Sequence, residues 1–208
     1  MKVLLINGSP HAEGSTYLAL KEIADTLARE NVESEIFHVG TGAIRGCAAC
    51  YQCKAKANGR CVFDDVVNIA LEKAESSDGI ILGSPVHYAA PSGQIVSLMH
   101  RFAFASAGRL MYKPGAAVVV CRRAGSTAAL DQLNKYFAIC GMPQVPSQYW
   151  NMVHGAVPED VKQDLEGLQT MRTLARNMAW LLKSIEAGQA AGVPLPEREP
   201  ITPTNFIR

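Results

Sequence analysis

Asn7-Gly8-Ser9-Pro10-His11-Ala12-Glu13-Gly14-Ser15-Thr16 follows an apolar run and leads directly into a helical pattern. Val3-Leu4-Leu5-Ile6 reads as a buried strand, and Leu20, Ile23, Ala24 and Leu27 recur at helical spacing beyond the loop. A strand, a turn of small residues and a helix N-terminus thus come in that order. Gly8 and Gly14 let the backbone approach a ligand, while Ser9, Ser15 and Thr16 offer hydroxyls where unpaired N–H groups and the helix dipole already favour an anion. Ser15 and Thr16 also suit plain helix caps, a reading that leaves the neighbouring Gly, Ser and Pro unexplained.

The loop has no Gly-Lys-Ser/Thr of a P-loop, and Gly8 to Gly14 does not supply G-x-G-x-x-G. A terminal phosphate remains as its ligand. By residues and by place, Gly8-Ser9-Pro10 with Ser15-Thr16 after the first strand resembles the FMN phosphate loop of the flavodoxin-like NAD(P)H-dependent reductases. The resemblance implies cofactor contacts at Ser9, Pro10, His11, Gly14, Ser15 and Thr16.

With 208 residues, 48% of them hydrophobic, the chain can build one substantial core; a domain over residues 1–187 and a tail over 188–208 are expected. The formal net charge is +1, from 20 basic and 19 acidic residues without a long basic run, so neither nucleic acid nor a membrane surface is an expected partner. No apolar run reaches the roughly 18 residues of a spanning helix, and the amino terminus lacks a signal peptide's apolar region. The expected location is cytoplasmic. Six cysteines in that compartment read as reduced thiols, ligands or redox groups rather than structural disulfides.

Along the chain, the first helix fades near Arg29 to Asn31, and Ser34 to Val39 reads as the second strand. Residues 43–63 form a long loop with four cysteines, and Asp64-Asp65 opens a helix through Ser76. Asp78 to Gly83 is the third strand, Ser92 to about Ala107 a helix, Ala116 to Cys121 the fourth strand and Ser126 to Ile139 a helix. A weaker fifth strand is expected near Gln144 to Pro146, followed by Tyr149-Trp150-Asn151-Met152 at the ligand edge. Pro158-Glu159-Asp160 starts a long helix with Val161, Leu165, Leu168, Met171, Leu174, Met178, Leu181 and Ile185 as its apolar stripe, stopped by Gly188. The proline-rich tail cannot extend that helix, and its Phe206 and Ile207 are either buried elsewhere or part of a disordered end.

Strands alternating with helices imply a parallel sheet covered on both faces. The expected fold is α/β: a flavodoxin-like, doubly wound, five-stranded parallel sheet of order 2-1-3-4-5 with a long C-terminal helix and tail. In that topology the loops after strands one, three and four converge at the carboxyl edge, where a mononucleotide binds.

Ser84-Pro85-Val86-His87-Tyr88, leaving the third strand after Gly83, resembles the second signature of the same reductases, a loop whose backbone lies along the isoalloxazine edge. An ordinary strand-to-helix turn is the plain alternative. Arg122 and Arg123 end the fourth strand where they could stabilise negative charge near flavin N1, although two arginines at a strand end also suit a solvated rim. Gly125 lets the chain pass close to the ring, and His11 and His87 are hydrogen-bond donors rather than acid-base catalysts.

Cys47-Ala48-Ala49-Cys50-Tyr51-Gln52-Cys53 followed by Cys61 reads C-x2-C-x2-C-x7-C. A compact run of three cysteines plus one suits a [4Fe–4S] cluster better than zinc, which more often draws two separated C-x2-C knuckles. Here the chain resembles the iron–sulfur flavoproteins, flavodoxin-like proteins with a compact cysteine motif between the second strand and the next helix. Relatives without a cluster also carry cysteine-rich versions of this loop, so a metal-free loop, zinc and a disulfide stand beside the cluster as readings. Cys121 and Cys140 read as buried structural thiols.

The resemblance covers approximately residues 1 to 140 and implies an FMN oxidoreductase. Electrons from NAD(P)H or a ferredoxin-like donor would pass through FMN, singly to a [4Fe–4S] cluster at Cys47, Cys50, Cys53 and Cys61, or in pairs to a quinone, flavin or protein acceptor. The rivals are an NAD(P)H-dependent FMN or quinone reductase without a cluster and a non-enzymatic electron carrier. The same resemblance implies a homodimer or homotetramer.

Overall fold

The computed structural model describes residues 1–106, 108–202 and 204. Its parallel strands are β1 (Lys2–Asn7), β2 (Glu33–His38), β3 (Gly79–His87), β5 (Gly115–Cys121) and β6 (Met152–His154), in the order β2-β1-β3-β5-β6, with β4 (Ala90–Pro91) folded back antiparallel on the end of β3. Counting the parallel strands alone, this is the flavodoxin order expected from the sequence. The helices are α1 (Ser15–Arg29), α2 (Gln52–Lys56), α3 (Val66–Glu75), α4 (Gly93–Ala105), α5 (Ser126–Ile139), α6 (Pro158–Val161) and α7 (Leu165–Ala190).

Successive strand residues point to opposite faces, and each face is apolar because helices cover both. Leu4, Ile6, Ile80, Leu82, Ala117 and Val119 join the core under α3, α4 and α5. Val3, Leu5, Ile81, Ala116, Val118 and Val120 join the core under α1 and α7. The two halves of the sheet wind away from each other between β1 and β3, so the carboxyl ends of those strands bound a crevice.

Four local expectations change. The fifth strand is β6, while Gln144 makes only a single bridge to Gly115, because Pro143 and Pro146 on either side lack the N–H a ladder needs. Tyr149 and Trp150 therefore precede the fifth strand instead of following it. The expected long helix is split: Asp164 accepts from Gly167 N–H at 2.9 Å and from His154 N–H at 2.6 Å, which starts α7 afresh and leaves Leu165 exposed. Helix α7 then passes Gly188 and ends at Ala190. Finally, β3 continues through His87 into a hairpin, and the cysteine loop holds the short helix α2. Phe206 and Ile207 lie outside the described residues.

Candidate functional site

The loop after β1 is organised by buried polar side chains before any ligand is considered. Asn7, fully buried, donates from Nδ2 to the Ala12 carbonyl at 3.1 Å and accepts from Ser9 N–H at 3.0 Å. Ser9 Oγ accepts from His11 N–H at 3.1 Å, and His38 Nε2 donates to the Ser9 carbonyl at 2.8 Å. Gly8 N–H donates to Gly83 C=O at 2.8 Å across the crevice, and Ser92 Oγ donates to Gly8 C=O at 2.5 Å while capping α4. Nothing larger than glycine fits at position 8, because a Cβ there would stand 2.6 Å from Ile95 Cβ.

That scaffold aims the loop at an open helix end. Gly14 is the N-cap of α1 and supplies no side-chain acceptor, so the N–H groups of the first turn, from Ser15 to Tyr17, lack intrahelical and capping partners. Elsewhere Asp65, Ser92 and Asp164 cap α3, α4 and α7 with their side chains. A terminal phosphate would meet free donors and the positive end of the helix dipole here, with the hydroxyls of Ser15 and buried Thr16 beside them.

The second loop arrives as a hairpin. Tyr88 (φ 49°) and Ala89 (φ 63°) are its two central residues, both left-handed as a type I′ turn requires. Ser84 is buried, its hydroxyl accepting from Ser92 N–H at 2.9 Å and donating to the Pro85 carbonyl at 2.8 Å, so it serves the scaffold. Pro85 and Val86 are half-buried, while His87 and Tyr88 are exposed. Gly125 (φ 83°) starts α5 under the hairpin tip, again without a side-chain cap, and Arg122 and Arg123 are exposed between β5 and that glycine. The structure thus brings Ser9 to Thr16, Ser84 to Tyr88 and Arg122 to Gly125 to one edge of the sheet.

The cysteine loop lies beside α4. Cys47, Cys50, Cys53 and Cys61 line one apolar cavity of about 20 Å³ with Phe63, Arg101 and Phe104. Cys53 is buried, Cys61 half-buried, and Cys47 and Cys50 are exposed. Ala49 (φ 49°), Tyr51 (φ 56°) and Ala57 (φ 48°) hold left-handed backbone around them, costly for residues with a Cβ. Two sulfurs accept N–H groups: Cys47 from Ala49 at 3.4 Å and Cys61 from Arg101 Nε at 3.2 Å. Among the described residues, no three His, Cys, Asp or Glu side chains are gathered to hold a metal ion. The donor set nonetheless fits a cluster in kind and number, four thiols on one apolar space with hydrogen bonds to sulfur. Burial pushes the Cys121 and Cys140 thiols up and keeps both neutral, as structural cysteines should be.

Asn7, His38, Ser92 and Arg101 were not legible as site residues. Arg101 left one signal: it stands in the apolar stripe formed by Ile95, Leu98, Phe102 and Ala105, where a charge needs a partner. Burial acts to lower its pKa, but hydrogen bonds to Asp65 and Cys61 outweigh this, and the guanidinium stays charged.

A doubly wound sheet with an uncapped helix after its first strand, and two further loops at the same edge, defines a mononucleotide-binding protein of flavodoxin-like fold. More narrowly, the chain belongs to the NADPH-dependent FMN reductase family, whose model matches residues 1–157. It is 35% identical over 194 residues to an iron-sulfur flavoprotein of Methanocaldococcus jannaschii, covering 89% of this chain and 100% of that one. Among solved structures, RosB with bound 8-demethyl-8-formylriboflavin-5'-phosphate superposes with a TM-score of 0.73 at 13% identity, over 100% of this chain and 92% of that one. A flavodoxin from the domain Archaea superposes with a TM-score of 0.59 at 15% identity, over 88% of this chain and 99% of that one. The family is one of flavin oxidoreductases, and no helix of the described residues is long and apolar enough to cross a membrane.

Proposed function

We propose that the chain is an FMN-dependent oxidoreductase that takes electrons from NAD(P)H or a ferredoxin-like donor. They would pass to a small-molecule or protein acceptor by way of a [4Fe–4S] cluster held by Cys47, Cys50, Cys53 and Cys61. The observation that carries this reading is the single apolar cavity shared by all four thiols. The name of the relative from Methanocaldococcus jannaschii, an iron-sulfur flavoprotein, supports it. When bound, FMN supplies hydride acceptance at N5 and the cluster supplies one-electron storage.

The chain's own residues bind and orient. In this reading the first turn of α1, with Ser15 and Thr16, holds the phosphate, and the Asn7 hydrogen bonds keep that loop formed beforehand. The Pro85 to Tyr88 backbone would border the ring, and Arg122 and Arg123 would supply positive charge to it. Exposed Tyr88 at this rim, and exposed Tyr149 and Trp150 ahead of β6, support a homodimer or homotetramer, which sedimentation would test.

Anaerobic purification followed by a visible spectrum and iron and acid-labile sulfide analysis tests the reading. Broad brown absorbance with flavin bands is expected, and Cys50→Ala should remove the cluster signals while sparing flavin. Full iron content in that variant would refute the ligand assignment; colourless protein that refuses added FMN would refute the flavin site. The small size of the cysteine cavity and the exposure of Cys47 and Cys50 favour a second reading, an NAD(P)H-dependent FMN or quinone reductase with a metal-free loop. Flavin without iron, rapidly bleached by NAD(P)H, is its signature.

A further inference from the structure

Arg101 is 1% exposed, and each of its five N–H groups has an acceptor. Nη1 donates to Asp65 Oδ2 at 2.5 Å and to the Arg45 carbonyl at 3.2 Å, and Nη2 donates to Asp65 Oδ1 at 3.0 Å and to the Phe63 carbonyl at 2.8 Å. Nε donates to Cys61 Sγ at 3.2 Å. Arg45 lies just before the first cysteine, while Cys61, Phe63 and Asp65 follow the third. One guanidinium on α4 therefore ties both ends of the cysteine loop together.

The fork explains the aim. A bidentate pair with Asp65 locks the plane of the guanidinium, and with the plane locked the direction of the Nε–H bond is fixed. Asp65 is itself held, since its Oδ1 also accepts from Val67 N–H at 3.0 Å as the cap of α3. The Phe63 ring adds a second constraint, with the Arg45 guanidinium 4.3 Å and the Arg101 guanidinium 5.4 Å from its centroid. A buried arginine needing only satisfaction could use carbonyls and a carboxylate throughout. Here one donor is directed at sulfur instead.

We infer that Arg101 is the positioning residue of the cysteine loop: it holds the Cys61 sulfur on the cavity that Cys47, Cys50 and Cys53 share, and sets a fixed positive charge against whatever those sulfurs bind. The inference rests on the cluster reading above. Hydrogen bonds and charge at a ligating sulfur favour the more negative, reduced state of a cluster, so Arg101 should raise its reduction potential. The four ligands become unequal, with Cys61 alone carrying a charged hydrogen bond among the described residues.

The test compares anaerobically purified wild type, Arg101→Lys and Arg101→Gln, each reconstituted with iron and sulfide. FMN content serves as the folding control, and a redox titration followed by electron paramagnetic resonance gives the potential and the signal shape. Arg101→Gln should retain FMN and either lose cluster or show a potential shifted downward. Arg101→Lys, which keeps charge but not the Nε–H, should shift less while its resonance signal still changes. Wild-type potential and signal in Arg101→Gln would overturn the inference. Should Arg101→Gln also lose FMN, Arg101→Lys decides: an altered signal supports the inference, and an unaltered one overturns it. Wild type without iron removes the cluster reading and this inference together, whereas iron-loaded wild type with unshifted variants overturns this inference alone.

Discussion

Gly125 meets Ala89 across the ligand edge of the sheet: a Cβ on Gly125 would stand 2.7 Å from the Ala89 Cα. The hairpin tip thus rests on the N-cap residue of α5, and the φ of 83° at Gly125 is one that side chains rarely adopt. Gly125→Ala should cost about 1–2 kcal/mol from backbone strain alone, and displacing the hairpin should add to it. Thermal melts and FMN titration check this; unchanged FMN affinity would separate the hairpin from the flavin.

In the proposed reading the Ser15 hydroxyl would meet the phosphate of FMN, which riboflavin lacks. Ser15→Ala should weaken FMN binding by about tenfold, the loss of one hydrogen bond to a charged group, and leave riboflavin binding as it was. Parallel fluorescence titrations with the two flavins check it. Equal losses for both would move the phosphate away from α1.

Gly83 lies against Leu20, whose Cδ1 would be 2.8 Å from an added Cβ. Gly83→Ala should destabilise by about 1–3 kcal/mol through overpacking. Leu20→Ala should cost about 2–5 kcal/mol through the cavity it leaves. Each change relieves the other, so the double variant should lose less than the sum in urea unfolding. Strict additivity would contradict this contact.

Glu35 bridges Lys2 at 2.7 Å and Lys73 at 2.5 Å, and hydrogen bonds from these two lysines hold its carboxyl below the usual range. The folded state therefore binds its proton less readily than the unfolded chain. The stability this adds is present above the unfolded pKa of about 4.3 and is lost as pH falls through the lower folded value. Glu35→Gln should flatten the fall in melting temperature on acidification below about pH 4.3, by an effect under about 1 kcal/mol because the pair is partly solvated. Wild-type acid sensitivity in the variant would point to other carboxylates.

Regular periodicity made most of the fold readable. The apolar runs of β1, β3 and β5 and the stripes of α1 and α5 are long enough for period alone to place them. The hairpin was hidden because Tyr88 and Ala89 occupy a turn usually built from Asn and Gly, so its chemistry carries no local signal. β6 was hidden because three residues make too short a pattern. In the site, the glycines, hydroxyls and cysteines announced themselves by type and spacing. Asn7, His38, Ser92 and Arg101 did not, since their roles arise from hydrogen bonds between segments distant in sequence.

Helices α1 and α5 both have glycine at the N-cap, where an aspartate or serine would add only about a few tenths of a kcal/mol of capping while its Cβ would stand 2.9 Å from His11 Cβ at Gly14 and 2.7 Å from Ala89 Cα at Gly125. Neither helix end can therefore be closed by its own side chain without displacing a neighbour. Selection for sturdier variants would find little to gain at these two positions, and a polar side chain at Gly14 would also set an oxygen where the proposed phosphate would lie. The same few amides are thus left to solvent or to a ligand.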